Sequence, residues 1–411
     1  VDFILGYISK TFNTDAKYFV SGGFWLTSIQ IVSVIGALIT SVVIANHLDE
    51  ANYGIYRYII VIGILLSSIS LSGIGQSVFQ TASLKHIGFY PVAIKKSLIF
   101  GLGITFSALV GSLYYYYAGN YTLALGCLFI AFFQPILNTY LNIFSFLQGR
   151  RRFPELTLLQ LIKTVFTTSC LLITLYLTEE IYLLIFVYLF SNTLSNYLIH
   201  LLYKPAFQKL DFAVFDKYYT YAKSISKQNI IANVANKIDS VIVFQQLGAY
   251  DLAIYTIANL LPDQVKASFK NILTLLIPKY AKYENINLLK RNVLLRSAQV
   301  FFVFLIVSIF YILISPFIYE LLFPKYQNSI FLSQLIALSF PAMIVLVPQS
   351  ALQGQTEGKK LSKINNYTSV LMIIITLILT LTHGLIGAII ARICSRYVSL
   401  FLTYYIFYKY K

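Results

Sequence analysis

The chain has 411 residues, 58% of them hydrophobic and only 11% charged, with a mean hydropathy of +0.74. An ordinary soluble domain is about 25% charged, so the composition excludes that class and points to a chain embedded in a bilayer. The formal net charge is +16; its placement follows the sidedness of membrane loops, and nucleic acid is not expected as a partner.

About twelve apolar stretches reach the roughly 20 residues that a spanning helix requires. In chain order they cover residues 24–46, 56–80, 97–117, 121–145, 156–177, 181–203, 221–245, 252–277, 297–318, 329–351, 364–382 and 385–408. The seventh and eighth carry several polar residues. The runs are too long and continuous for the alternating strands of a membrane barrel, so the fold class is all-α integral membrane. Segment 1–19 reads as a short interfacial helix. No cleavable leader is visible in the first 20 residues, and the first span is expected to act as an uncleaved anchor.

The connecting segments fix an orientation. Arg150, Arg151 and Arg152, Lys204, Lys209, Lys217 and Lys223, and Lys279, Lys282, Lys290 and Arg291 all fall on one side if about twelve spans are threaded in order. Only Arg57 and Lys325 fall on the other. The positive-inside rule then places both termini in the cytoplasm.

Two echoes run through the chain. Leu48, Tyr53, Gly54, Ile55 and Tyr56 of LDEANYGIY fall opposite Leu247, Leu252, Ala253, Ile254 and Tyr255 of LGAYDLAIY, 199 residues later. SFLQG at 145–149 is answered by SALQG at 350–354, 205 residues later. Each is short, but their order and near-equal offset indicate two similar halves. An even number of spans per half makes them parallel repeats, an arrangement typical of transporters. The expected organisation is a six-helix bundle at 1–203, a polar cytoplasmic linker at 204–222 and a second six-helix bundle at 223–411, around a central cavity.

The L-x4-YGIY junction between the first two spans resembles the polysaccharide biosynthesis proteins of the multidrug/oligosaccharidyl-lipid/polysaccharide exporter superfamily. So do SLSGIGQSVFQ at 70–80, DSVIVFQQLGAYDLAIYTIANLL at 239–261 and LTLLIPKYAKY at 273–283. Within that family the chain is similar to Wzx-type O-antigen flippases. The resemblance implies translocation of an undecaprenyl-pyrophosphate-linked oligosaccharide between the leaflets of the bacterial inner membrane. It implies membrane lipids and other polysaccharide-assembly proteins as partners. It does not identify the sugar.

Charge within the spans supplies the candidate site, because a charged residue at mid-helix costs roughly 2.5–3.5 kcal/mol and usually faces a cavity or a partner. Four basic residues, Lys163, Lys237, Arg392 and Arg396, are read as interior, against one acid, Asp239. In the seventh span Ser226, Asn229, Asn233, Asn236, Lys237, Asp239 and Ser240 share a broad sector at helical periodicity, which a lipid-bathed helix would not carry. Lining of a wet cleft that meets sugar hydroxyls and pyrophosphate oxygens is one reading; polar packing between helices is the other. Asp239 is expected to meet a base on another helix, Arg392 being the leading partner, as a structural ion pair or as a coupling carboxylate. For Lys163, Arg392 and Arg396, attraction of substrate phosphate stands beside snorkelling to the interface.

The remaining features are weaker. His47, His86, His200 and His383 lack metal spacing, and no metal is expected. Cys127, Cys170 and Cys394 read as small core residues. Tyr114–Tyr117 reads as an aromatic belt, and 279–296 as a basic amphipathic helix at the interface. No cofactor is expected; an ion gradient as driving force stays open, with no ion singled out. The alternatives are a multidrug exporter of the same superfamily and a membrane polysaccharide polymerase or glycosyltransferase. The latter is disfavoured because the outer acids show no constellation that could do chemistry.

Overall fold

The computed structural model describes residues 16–205, 211–273, 276–355 and 358–409. Most of the segment 1–19 read as an interfacial helix lies outside the described residues; Ala16 already belongs to the first long helix. Among the described residues every regular element is helical. The chain falls into two compact units: residues 1–44 with 66–229, and residues 45–65 with 230–411.

The first unit contains α1 (Ala16–His47), whose last turn passes into the second unit, and α3 (Ile74–Ser83), α4 (Phe89–Tyr117), α5 (Tyr121–Tyr140), α6 (Asn142–Gly149), α7 (Phe153–Leu177) and α8 (Ile181–Tyr203). Most of α2 (Glu50–Ser67) belongs to the second unit. So does the last half of α9 (Phe212–Leu247), followed by α10 (Ala249–Leu273), α11 (Leu276–Ala281), α12 (Ile286–Leu322), α13 (Asn328–Ala337), α14 (Leu346–Gly354) and α15 (Gly358–Tyr408). Each unit has its own apolar core. Val78, Phe89, Ile143 and Leu147 lie at the centre of one, and Phe304, Phe340, Val347 and Phe407 at the centre of the other.

Among the described residues eight stretches are long and apolar enough to cross a membrane. Two of the expected spans, 364–382 and 385–408, lie within the single stretch Ile364–Tyr408. At Gly384 the backbone takes φ 59° and ψ −137°, which only glycine adopts readily, and the chain reverses. A Cβ on Gly387 would collide with the carbonyl oxygen of Leu379. These residues are eight apart and could not meet in a continuous helix. The helices at the second, seventh and eighth expected spans, α2, α9 and α10, are not among the eight. The second expected span is moreover broken between Ser67 and Ile74, and the tenth between Ala337 and Leu346.

One other sequence expectation is corrected. No separate amphipathic helix covers 279–296: α11 ends at Ala281, and residues 286–296 are the opening turns of the 37-residue α12. Asn285 caps α12, its side chain accepting from the N–H groups of Asn287 and Leu288. Residues 212–222 of the expected linker are the first turns of α9.

Prolines interrupt three long helices, and each break is closed the same way. A helical proline deprives the carbonyl four residues earlier of its partner. For Pro135 that carbonyl is Ala131, and Thr105 Oγ1 donates to it at 2.9 Å. For Pro316 it is Ile312, reached by Gln334 Nε2 at 3.1 Å and Ser315 Oγ at 3.2 Å. For Pro262 it is Ala258, and the Tyr319 hydroxyl lies 3.0 Å from Ile257 O and 3.4 Å from Ala258 O. Buried backbone acceptors in an apolar setting demand such replacements.

Both echoes occupy matching places. Leu48 and Leu247 stand at the junctions α1–α2 and α9–α10. SFLQG closes α6 and SALQG closes α14, each helix ending on its glycine. Gly149 packs under the α3 backbone at Phe79 O. Gly354 packs under the α11 backbone, where a Cβ would lie 2.8 Å from Ile277 O. Two short helices, α3 after α2 and α11 after α10, are thus each seated on the glycine end of another short helix.

Candidate functional site

The charged residues of the second unit converge on one cluster. α9 supplies Lys237 and Asp239, α10 supplies Tyr255 and Asp263, the second arm of α15 supplies Arg392 and Arg396, and α2 supplies Arg57. One Arg392 terminal nitrogen donates to both oxygens of Asp263, at 2.8 and 2.7 Å. The other lies 3.5 Å from Asp239 Oδ2. Arg396, one turn on, reaches Asp263 Oδ1 at 3.3 Å and Ser339 Oγ at 2.5 Å. Asp239 is buried, and the fully buried Tyr255 hydroxyl donates to its Oδ2 at 2.7 Å. The Ser240 N–H holds the other oxygen at 2.7 Å.

Local sequence explains this placement. Arg392 and Arg396 are four apart and share a helix face. Asp263 directly follows Pro262, where α10 loses a backbone bond and Tyr319 fills the gap. Tyr255 is the echo counterpart of Tyr56, so a repeated residue positions the buried carboxylate.

Sequence reasoning missed Asp263 and Arg57. The eighth expected span contained Asp263, yet the interior tally counted a single acid; the cluster instead holds two acids, both engaged by arginine. Its proline neighbour and position inside an apolar run were the available signals. Arg57, read as an outer-side residue, lies inside α2. Its Nε is buried without a hydrogen-bond partner among the described residues. Arg57, Asp239, Asp263 and Arg392 all lie within electrostatic range of the half-buried Lys237. Among the described residues neither Arg57 nor Lys237 forms a salt bridge. The cluster therefore holds four cations and two anions, and its excess positive charge sits on Arg57 and Lys237.

Beside it lies a cavity of about 290 Å³ lined by Asn236, Lys266, Gln349, Asn365, Thr368 and Arg396, with Ser395, Ser399 and apolar residues completing the wall. Among the described residues no carboxylate lines it.

The other expected site residues are dispersed. Lys163 belongs to the first unit, its ammonium 5.6 Å from the centre of the Phe144 ring. Asn229 is the last residue of that unit and half-buried, as is Asn233 in the second. Ser226 does not face a cleft: its hydroxyl donates to Ala222 O at 2.8 Å and accepts from Gly73 N–H at 2.9 Å. The polar sector of α9 is thus interhelical packing at Ser226 and cavity wall at Asn236.

The profile of a family described as "Polysaccharide biosynthesis protein" matches residues 19–284. No curated protein sequence matches the chain. Solved structures share its fold at low identity. One is described as the "Inward-facing conformation of a multidrug resistance MATE family transporter of the MOP superfamily", with TM-score 0.68 and 13% identity over 94% of this chain and 97% of that one. Its outward-facing counterpart gives 0.65 and 14% over 94% and 95%. A MOP superfamily transporter from Pyrococcus furiosus, described by "Reverse polarity of binding pocket suggests different function", gives 0.65 and 13% over 96% and 95%.

Proposed function

The chain belongs to the polysaccharide biosynthesis protein family, and from that premise we propose that it is a flippase for undecaprenyl-pyrophosphate-linked O-antigen or related repeat units. It carries them from the cytoplasmic to the periplasmic leaflet of the bacterial inner membrane by alternating access. In this reading about twelve helices form two six-helix halves with both termini cytoplasmic. The protein moves a lipid-linked oligosaccharide and catalyses no bond change.

The observation that carries the reading is the pair Arg57 and Lys237. Two cations in a low-dielectric cluster, with the neighbouring acids already held by arginines, are costly unless an anion joins them. A pyrophosphate supplies such an anion. Arg392 and Arg396 build the scaffold that keeps Asp239 and Asp263 from cancelling that charge. The cavity's amides and hydroxyls suit sugar hydroxyls, which need both donors and acceptors.

A multidrug exporter of the same superfamily is supported by fold likeness. An organic cation would need an uncovered acid, whereas Arg392 reaches both acids here. The deciding experiment reconstitutes the protein in proteoliposomes with a fluorescent undecaprenyl-pyrophosphate oligosaccharide and, separately, a cationic dye. Protein-dependent translocation of the lipid-linked sugar without dye transport is expected; dye transport alone overturns the reading.

A further inference from the structure

A second basic pocket lies in the first unit, lined by residues between Ile87 and Pro205. It has a volume of about 490 Å³, with Arg150, Arg152 and Lys204 around it and Ile87, Phe146 and Leu202 among its apolar walls. The cations come from the α6–α7 turn and from the residue after α8, two ends that face the same side because α7 runs out and α8 returns.

Membrane sidedness accounts for the sign of these charges. It does not account for their convergence or for the backbone beneath them. α6 ends with Arg151 N–H bonded to Gln148 O and Arg152 N–H to Leu147 O, with Arg151 at φ 60°. This is a Schellman closure whose left-handed position normally belongs to glycine. α3 ends identically, with Lys85 N–H on Ala82 O, His86 N–H on Thr81 O and Lys85 at φ 65°. A residue with a Cβ is disfavoured at such a position. Both left-handed positions nevertheless carry cations, and both lie beside segments that line or lead into the pocket.

The three pocket cations differ in their engagement. Arg152 is fixed by Glu155, with Nε to Oε1 at 2.6 Å, and its guanidinium lies 5.3 Å from the centre of the Tyr203 ring. Arg150 and Lys204 are exposed, and among the described residues their side chains form neither a hydrogen bond nor a salt bridge. Leu202 is 76% exposed, and Leu198 and Leu201 on the same helix are also exposed, as side chains facing acyl chains would be.

We propose that this pocket holds the phosphate headgroup of a resident anionic phospholipid, with Arg150 and Lys204 as its phosphate ligands, Arg152 held in the wall by Glu155, and an acyl chain lying along α8 at Leu202. The site is separate from the cluster of the second unit and does not depend on which substrate is moved.

The test is native mass spectrometry of the detergent-purified protein with phosphatidylglycerol, phosphatidylcholine or undecaprenyl pyrophosphate added. Wild type should retain phosphatidylglycerol over phosphatidylcholine. The double variant Arg150→Gln with Lys204→Gln should lower its occupancy at least five-fold, while Lys95→Gln with Lys96→Gln, basic residues outside the pocket, should not. Unchanged occupancy in the first variant, or an equal fall in the second, overturns the proposal. Displacement of phosphatidylglycerol by equimolar undecaprenyl pyrophosphate also overturns it, by assigning the pocket to the carrier. A second measurement leaves the cations in place. In Leu202→Trp, quenching beyond that of the parent protein should be greater with brominated phosphatidylglycerol than with brominated phosphatidylcholine; equal quenching overturns the proposal.

Discussion

Arg392 grips Asp263 through both carboxylate oxygens, at 2.8 and 2.7 Å, and reaches Asp239 only at 3.5 Å. The stronger partner of this arginine is therefore the acid on α10, and Asp239 leans instead on Tyr255 and the Ser240 N–H. Each acid responds to neutralisation differently for that reason.

Asp263→Asn removes the one carboxylate that engages two arginines. Loss of one partner from a fully buried pair costs roughly 3–5 kcal/mol. The Asp263 side chain keeps 42% of its surface exposed, which puts the expected cost at the low end or below. Asp239→Asn leaves Arg392 compensated by Asp263, so it should be better tolerated, and neutralising Arg392 in that background should not restore what is lost. Thermal midpoints of the purified variants provide the check. A larger fall for Asp239→Asn than for Asp263→Asn would contradict this ordering.

Among the cations the roles divide in the opposite sense. Arg57→Ala and Lys237→Ala relieve like-charge repulsion, so membrane abundance should hold or rise while surface polysaccharide in a complementation assay falls. Arg392→Ala removes the base that reaches both carboxylates and should lower abundance itself. Equal abundance of all three variants, with full transport in the first two, would remove Arg57 and Lys237 from the mechanism.

At the paired helix ends, Gly149→Ala and Gly354→Ala drive a methyl group into backbone oxygen, Phe79 O and Ile277 O. Backbone cannot yield as a flexible side chain does, so each should cost about 1–3 kcal/mol. The closer approach is at Gly149. Detergent-solubilised melting curves should show both losses, with Gly149→Ala the more severe.

Gly384→Ala tests the reversal in α15. A φ of 59° with ψ −137° is closed to residues bearing a Cβ, and the strain is on the order of 1–3 kcal/mol. Among the described residues nothing lies within 4 Å of the added methyl position, so the conformation itself is under test. A folded yield equal to wild type would show that the turn does not require glycine.

Orientation is checked by labelling in a background without the native cysteines. Lys290 Nζ donates to Tyr408 O at 2.9 Å, so the start of α12 and the end of α15 share one end of the second unit. Lys325 Nζ donates to Leu48 O at 3.2 Å, joining the two segments expected on the other side. A cysteine at position 290 should react with an impermeant reagent only from the cytoplasm, and one at position 50 only from the periplasm.

Much was legible in the sequence because lipid imposes a simple rule. Every backbone polar group must be satisfied within the protein, and a helix does this with few outside partners, so long apolar runs become helices. The echoes were legible too, since LDEANYGIY and LGAYDLAIY mark equivalent helix junctions, and SFLQG and SALQG mark equivalent helix ends. The convergence of Arg392, Asp239 and Lys237 was foreshadowed by their cost in an apolar setting.

What the sequence alone determined was therefore the helical, apolar character of the chain, the paired echoes at its helix junctions and helix ends, and the charges that had to find partners. Tertiary structure alone decided which partners those were. Asp263 holds Arg392 and Arg396 because Pro262 breaks α10 beside it and Tyr319 takes the released carbonyl. Arg57 enters the cluster because the greater part of α2 folds with the second unit. Ser226 packs on Gly73, whereas Asn236, lower on the same polar sector, lines a cavity. Periodicity states which face of a helix a residue occupies; only the neighbouring helices, chosen by packing between residues far apart in the chain, state what that face meets.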